Sequence, residues 1–168
     1  MKVFGYTVLV LFLVPLQVVF VDRISLFGIR PDLGLVAVCL IGLYTGELDA
    51  LSAGFVIGFV QDLFSGGVLW GNLFLKPILG LIAGLASRNL VNLTWVFAFS
   101  LIFSLSILSG TVMYVLKAFT GTGASLFLAA RDIILPQACY DALLGLALLK
   151  LLQRWRAFRT PETELSYE

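Results

Sequence analysis

Apolar residues fall along this chain in six blocks, at about residues 3–21, 33–44, 51–64, 69–86, 93–116 and 134–152. Blocks of this kind predict membrane-spanning helices, since an α-helix needs roughly 20 apolar residues to cross a bilayer. The second and third blocks are shorter, at roughly 12–14 residues. That predicts helices that are tilted, broken or shielded by other helices, or that extend with Gly46 and Glu47 at the membrane surface. The connections at 45–50 and 65–67 are short, so neighbouring helices are expected to run antiparallel.

Residues at the block edges carry capping chemistry. Asp32, after Pro31, can accept from the free amides that open the second helix, and Asn92 can do the same for the fifth. Gly121 and Gly123 break the chain after Leu116. The stretch 124–133, with Arg131 and Asp132 and ending near Pro136, reads as an interfacial segment leading into the last helix. Pro15 and Pro77 each lack an amide donor and predict a kink or a helix start. A residue before proline disfavours the α conformation, so the fourth helix is expected to begin near Pro77 with Lys76 in the turn.

Composition strengthens this picture. The chain is 60% hydrophobic and 12% charged, with a mean hydropathy of +1.04. A soluble domain of this composition would expose large apolar patches and aggregate. The expected class is an all-α polytopic membrane protein with six transmembrane segments. One membrane domain is expected over 1–155, followed by a solvated cytoplasmic tail over 156–168. Net charge is +1, so nothing points to a nucleic-acid partner. Lys2 before an apolar run resembles a signal peptide. The run is long for one and lacks a small-x-small cleavage site, so a retained first helix is expected. Lys2, Arg88, Lys150, Arg154, Arg156 and Arg159 fall on one side of six crossings. Arg23, Arg30, Lys117 and Arg131 fall on the other, and the bias predicts both termini in the cytoplasm.

Chemistry-bearing groups are few. There is no histidine, no convincing Ser–Lys dyad, no zinc motif and no phosphate loop, so neither catalysis nor a metal or cofactor is expected. Cys39 and Cys139 lie in apolar blocks and read as small hydrophobes. Asp141, beside Tyr140 in the last block, reads as a buried polar contact or a cavity residue. One pattern stands out. Asp62 and Lys76 lie seven residues either side of Leu69, Gly58 and Gly80 eleven, and Gly54 and Gly84 fifteen. Read as an antiparallel helix pair, this places acid opposite base as a polar pair, with facing glycines at two levels. Small residues four apart let helices approach closely in lipid, either each other or a helix from another polypeptide. Two readings of Asp62 stand: a bundle carboxylate partnered by Lys76, by the amides of the Ser65-Gly66-Gly67 turn or by water, or a wet residue ending the third helix.

Arg30-Pro31-Asp32 opening a short apolar helix, then Gly54, Gly58 and Asp62, then Ser65-Gly66 and Leu69-x-Gly71, together resemble the signature of the bacterial rod-shape-determining protein MreD family. The resemblance spans roughly Arg30 to Gly84. It implies a multi-pass protein of the bacterial inner membrane. The implied role is a non-catalytic scaffold of the cell-elongation machinery, which builds peptidoglycan during rod-shaped growth. Its implied direct partner is the single-span protein MreC. Further partners would be MreB, a SEDS glycosyltransferase and a class B penicillin-binding protein, with membrane lipids around it. The resemblance also implies a fold similar to the S components of energy-coupling-factor transporters. That likeness leaves an alternative open, a small-molecule (vitamin) binding subunit of a transporter. Against it, the block at 3–21 contains no alanine and so lacks the Ala-x-x-x-Ala surface by which such subunits dock.

Overall fold

The computed structural model describes residues 29–65, 70–88, 94–119 and 129–157. Its helices are α1 (Leu33–Thr45), α2 (Glu47–Ser65), α3 (Gly71–Arg88), α4 (Trp95–Phe119) and α5 (Leu135–Ala157). A π-helical turn, Ala130–Ile134, leads directly into α5. The block at 3–21, Pro15, Gly66, Asn92, Gly121, Gly123 and the tail from residue 158 lie outside the described residues.

The centre of the fold is its shortest long-range element. α1 is apolar on every side, and Leu35, Val36, Val38 and Cys39 are fully buried. A helix without a polar face has no side to give to solvent. α2 and α3 pack against one flank of α1, while α4 and α5 form a second pair against the other. With 13 residues, α1 is about 20 Å long, less than the hydrocarbon thickness of a bilayer. Its neighbours supply the shielding that its own length does not.

Among the described residues, two helical stretches are long and apolar enough to cross a membrane: Trp95–Phe119 and Ala130–Arg154, with mean hydropathies of 2.0 and 1.4. The outer surface is apolar too. Phe55, Phe59, Phe74, Ile78, Val96 and Leu143 are all exposed, which fits a surround of lipid rather than water.

The short third block resolves as expected. α1 and α2 are joined by Gly46 alone, whose φ of 99° lies in the left-handed region open to glycine. α2 therefore starts at Glu47 and reaches 19 residues. The expected start of the next helix at Pro77 is overturned. α3 begins at Gly71, and both Lys76 and Pro77 lie inside it. Local preference at Lys76 yields to tertiary packing, because the backbone at 76–77 is the surface on which α2 rests. At α5 a proline also sits close to a helical irregularity. The Leu135 amide donates to the carbonyl of Ala130, five residues back. Pro136 follows with no amide to continue the ladder.

Glycine packing between α2 and α3 is real, but its register differs from the mirror about Leu69. Gly58 meets the backbone of Asn72–Leu73 rather than Gly80, and Gly54 meets Lys76–Pro77 rather than Gly84. Gly80 in turn meets Ala50, and Gly84 meets Gly46–Glu47. Each of the four receives main chain, and none faces the glycine that the mirror assigned to it. A Cβ on Gly54 would stand 2.7 Å from the Lys76 carbonyl oxygen, and one on Gly80 2.6 Å from that of Ala50. The register shifts because α2 runs seven residues past Gly58 to Ser65, whereas α3 starts one residue before Asn72. The crevice expected to receive another polypeptide's helix is filled by α3 itself.

Candidate functional site

The first turn of α1 lies inside the bundle, and the polar groups around it come from its own cap and from the four other described helices. Asp32 precedes α1 and caps it, its Oδ1 accepting from the Leu35 amide at 3.0 Å. The same oxygen accepts from Gln61 Nε2 of α2 at 3.2 Å. Its other oxygen pairs with Lys76 Nζ of α3. Lys76 is fully buried, and an ammonium removed from water needs such a counter-ion. Asp141, fully buried on α5, accepts the Asp32 backbone amide at 2.7 Å and the Ser106 hydroxyl of α4 at 2.6 Å. Asp32 is thus the hub: its side chain binds α2 and α3, and its main chain binds α5. Burial opposes ionisation of Asp32, but the Lys76 ammonium, with the Leu35 amide and Gln61, outweighs it and holds the carboxyl below its ordinary value.

This corrects the expected Asp62–Lys76 pair. Lys76 turns to Asp32, and Asp62 serves a different end. One turn past Gly58, Asp62 reaches the open N-terminus of α3 and is almost fully buried there. Its Oδ1 accepts from the Asn72 amide at 3.2 Å and Asn72 Nδ2 at 2.8 Å, and its Oδ2 from the Leu73 amide at 2.9 Å. A carboxylate facing free amides at a helix start satisfies both hydrogen bonding and the helix dipole. Among the described residues, the amides it finds belong to α3.

Other motif residues surround this junction. Arg30 is exposed and Pro31 buried at the entrance to α1. Gly71 opens α3 against α4, where a Cβ would stand 3.0 Å from Met113 Sδ. Gly54 and Gly58 do not touch the junction; they seat the helix that delivers Lys76 and Asn72 to it. Gly66 lies outside the described residues.

A pocket of about 380 Å3 opens beside the junction. Its polar lining includes Asp32, Asn72, Ser106, Ser109, Tyr114 and Gln137, and its apolar lining Met113, Ile133 and Ile134. α4 contributes Ser106, Ser109, Gly110, Met113, Tyr114 and Lys117, positions three and four apart that form one helix face.

Ser106 and Gln61 carried no signal in the sequence, because a serine or glutamine in a hydrophobic helix is unremarkable until its partner is placed. Lys76 and Asp141 did carry one: an ionisable group in an apolar block requires a partner. The partner's identity was hidden by distance along the chain, 44 residues from Asp32 to Lys76 and 109 from Asp32 to Asp141. Comparison of the chain with protein-family models, with curated proteins and with solved structures returned no match.

Proposed function

We propose that this chain is a non-catalytic scaffold of the bacterial cell-elongation machinery, similar to the MreD family, and that it binds the single-span protein MreC. The observation that carries the reading is convergence. The resemblance was drawn from Arg30, Pro31, Asp32, Gly54, Gly58, Asp62 and Gly71, scattered over a quarter of the chain. Asp32 lines one pocket, Asp62 bonds Asn72 and Gly71 packs against Met113, both of which line the same pocket, and Gly54 and Gly58 seat the α3 helix that carries Lys76 and Asn72. A motif whose residues line or support one open pocket suits a docking platform whose register is set by buried polar groups. Since α3 already occupies the glycine crevice, MreC would dock at the pocket end, near Arg30. In this reading six segments cross the inner membrane, both termini are cytoplasmic, and MreB, the SEDS glycosyltransferase and the class B penicillin-binding protein are reached directly or through MreC.

The test is affinity purification of the tagged chain from bacterial membranes. MreC is expected among the co-purified proteins, and reduced by Arg30→Glu at equal expression. Recovery of the chain without MreC overturns the reading. The pocket also favours a second reading, an S-component-like subunit that binds a vitamin. Saturable vitamin binding by the purified chain in detergent, with no MreC present, would select it.

A further inference from the structure

Two buried acids that do not line the pocket decide what its lining residues can offer. Asn72 and Ser106 both line it, whereas Asp62 and Asp141 do not. Behind Ser106 stands Asp141, whose Oδ2 lies 2.6 Å from the Ser106 hydroxyl. Its Oδ1 is taken by the Asp32 amide at 2.7 Å. A carboxylate only accepts, and a hydroxyl has one hydrogen and two lone pairs. Ser106 therefore spends its hydrogen on Asp141 and keeps lone pairs alone for anything else. Behind Asn72 stands Asp62, whose Oδ1 lies 2.8 Å from Asn72 Nδ2. The same rule orients this amide: its NH2 turns to Asp62, and its carbonyl oxygen turns away.

The third group held by its neighbours is Asp32. Its carboxylate lines the pocket and accepts from Leu35, Gln61 and Lys76. Its charge is matched by Lys76, so nothing at this end of the pocket calls for a charged ligand. The lining groups fixed from behind thus present oxygen lone pairs. Ser109, Tyr114 and Gln137 can each donate or accept, so they adapt to a ligand rather than select it. Lys117 can only donate, but it is exposed and stands eleven residues along α4 from Ser106. That is about 16 Å along the helix axis, so Lys117 serves the mouth and not the Ser106 end. The remaining walls are apolar, chiefly Met113, Ile133 and Ile134.

We infer that this pocket binds a neutral group that donates hydrogen bonds, a carboxamide or hydroxyl on an apolar stem, and that Asp141 and Asp62 are positioning residues that set this preference from behind. The ligand's N–H or O–H donates to Ser106 Oγ and to the Asn72 carbonyl oxygen. Its stem lies against Met113 and Ile134. A group of the same shape with lone pairs alone sets oxygen against oxygen at Ser106 and is rejected. A volume of about 380 Å3 falls in the range of small organic ligand sites. The donor group has two potential sources, a free metabolite and an Asn, Gln or Ser side chain presented by a membrane partner. The inference rests on neither the scaffold reading nor the vitamin reading.

The full chain in detergent, at mildly alkaline pH where Asp141 is a carboxylate, is titrated with N-methylbutanamide and with methyl butanoate. Thermal unfolding is the readout. The two probes have nearly the same shape and differ by an N–H in place of an ester oxygen. The amide is expected to raise the unfolding midpoint saturably and to bind about ten-fold more tightly than the ester. In Asp141→Asn the new side chain must keep its oxygen on the Asp32 amide, so its NH2 faces Ser106 and the Ser106 hydrogen turns into the pocket. The amide-to-ester ratio is then expected to fall about ten-fold. A merely structural loss would weaken both probes alike and leave the ratio unchanged. Ser106→Ala removes the selecting oxygen and is expected to bring the ratio near one, which keeps the test open if Asp141→Asn does not fold. No saturable shift from the amide, an ester bound as tightly by the wild type, or an unchanged ratio in a cooperatively unfolding variant overturns the proposal. A photo-crosslinker placed at Met113 in living cells separates the sources. Capture of a polypeptide through Asn, Gln or Ser identifies a partner side chain, and capture of a small amide or alcohol identifies a metabolite. Capture only of molecules without N–H or O–H overturns the proposal. If the amide preference is present but MreC neither co-purifies nor crosslinks, the scaffold reading fails and the donor site stands.

Discussion

The α2–α3 hairpin and the α4–α5 pair both carry glycines at their contacts, but the glycines meet different things. In the hairpin, Gly54, Gly58, Gly80 and Gly84 stand against the main chain of the opposite helix. In the other pair, Gly110 stands against the Ile134 side chain, and Gly145 against Ile102 Cδ1. Main chain cannot move aside without breaking its own ladder, whereas the Cδ1 end of Ile102 can rotate, and Ile134 Cγ2, at 3.0 Å from a Cβ on Gly110, has only a few tenths of an ångström to give. The hairpin is therefore a rigid seam that determines where Lys76 and Asn72 sit. The second pair has room to adjust, and it is the pair that borders the pocket. Close packing positions the polar junction on one flank, and looser packing leaves space beside it on the other.

The sharpest way to break this division is to remove the charge that ties the seam to the rest. Lys76→Met leaves the Asp32 carboxylate buried without its cation. The expected loss is about 3–5 kcal/mol of stability in detergent unfolding. The double variant Asp32→Asn/Lys76→Met, which removes both charges, is expected to lose less than the single one. A double variant as unstable as Lys76→Met would show that the pair's charge is not what matters.

Next in size is the seam itself. Gly54→Ala and Gly58→Ala force backbone apart and are expected to cost about 1–3 kcal/mol, despite alanine's better helix propensity. Gly110→Ala and Gly145→Ala, each against an isoleucine, are expected to stay within about 0.5–1 kcal/mol of wild type, and the propensity gain favours the stabilising direction. Equal losses at the two interfaces, read from the same unfolding assay, would erase the distinction between them. Asp62→Ala removes the carboxylate from the start of α3 and is expected to cost about 1 kcal/mol. Asp62→Asn, which keeps acceptor oxygen, is expected to recover part of that. The smallest effect lies at the far end of the hairpin. Arg88 approaches Glu47 at 3.6 Å with its side chain 70% exposed, so Arg88→Ala is expected to change stability by less than about 0.5 kcal/mol.

The helices were legible because their causes are local. The apolar blocks at 33–44 and 93–116 became α1 and α4 within a few residues, and Asp32 capped α1 as its position before the block predicted. The start of α3 was misplaced because the rule for a residue before proline is a preference worth little against a packed interface. The glycine spacing correctly announced a tight α2–α3 contact. Its register was misjudged because symmetry of positions says nothing about how far each helix runs beyond the contact.

Unaided, the order of residues determined that the chain is helical, that its surface is apolar enough for lipid, and that Lys76, Asp62 and Asp141 each required a partner. Periodicity, hydropathy and the cost of burying charge act on single residues and their near neighbours, so they are readable in one dimension. Which partner each charge takes was decided only in three dimensions. Asp62 lies about two turns along α2 from Gly54, which is the residue that meets Lys76, and came instead upon the open amides of α3. Asp32, 44 residues from Lys76, was brought to it because α1, having no polar face, could settle only in the middle.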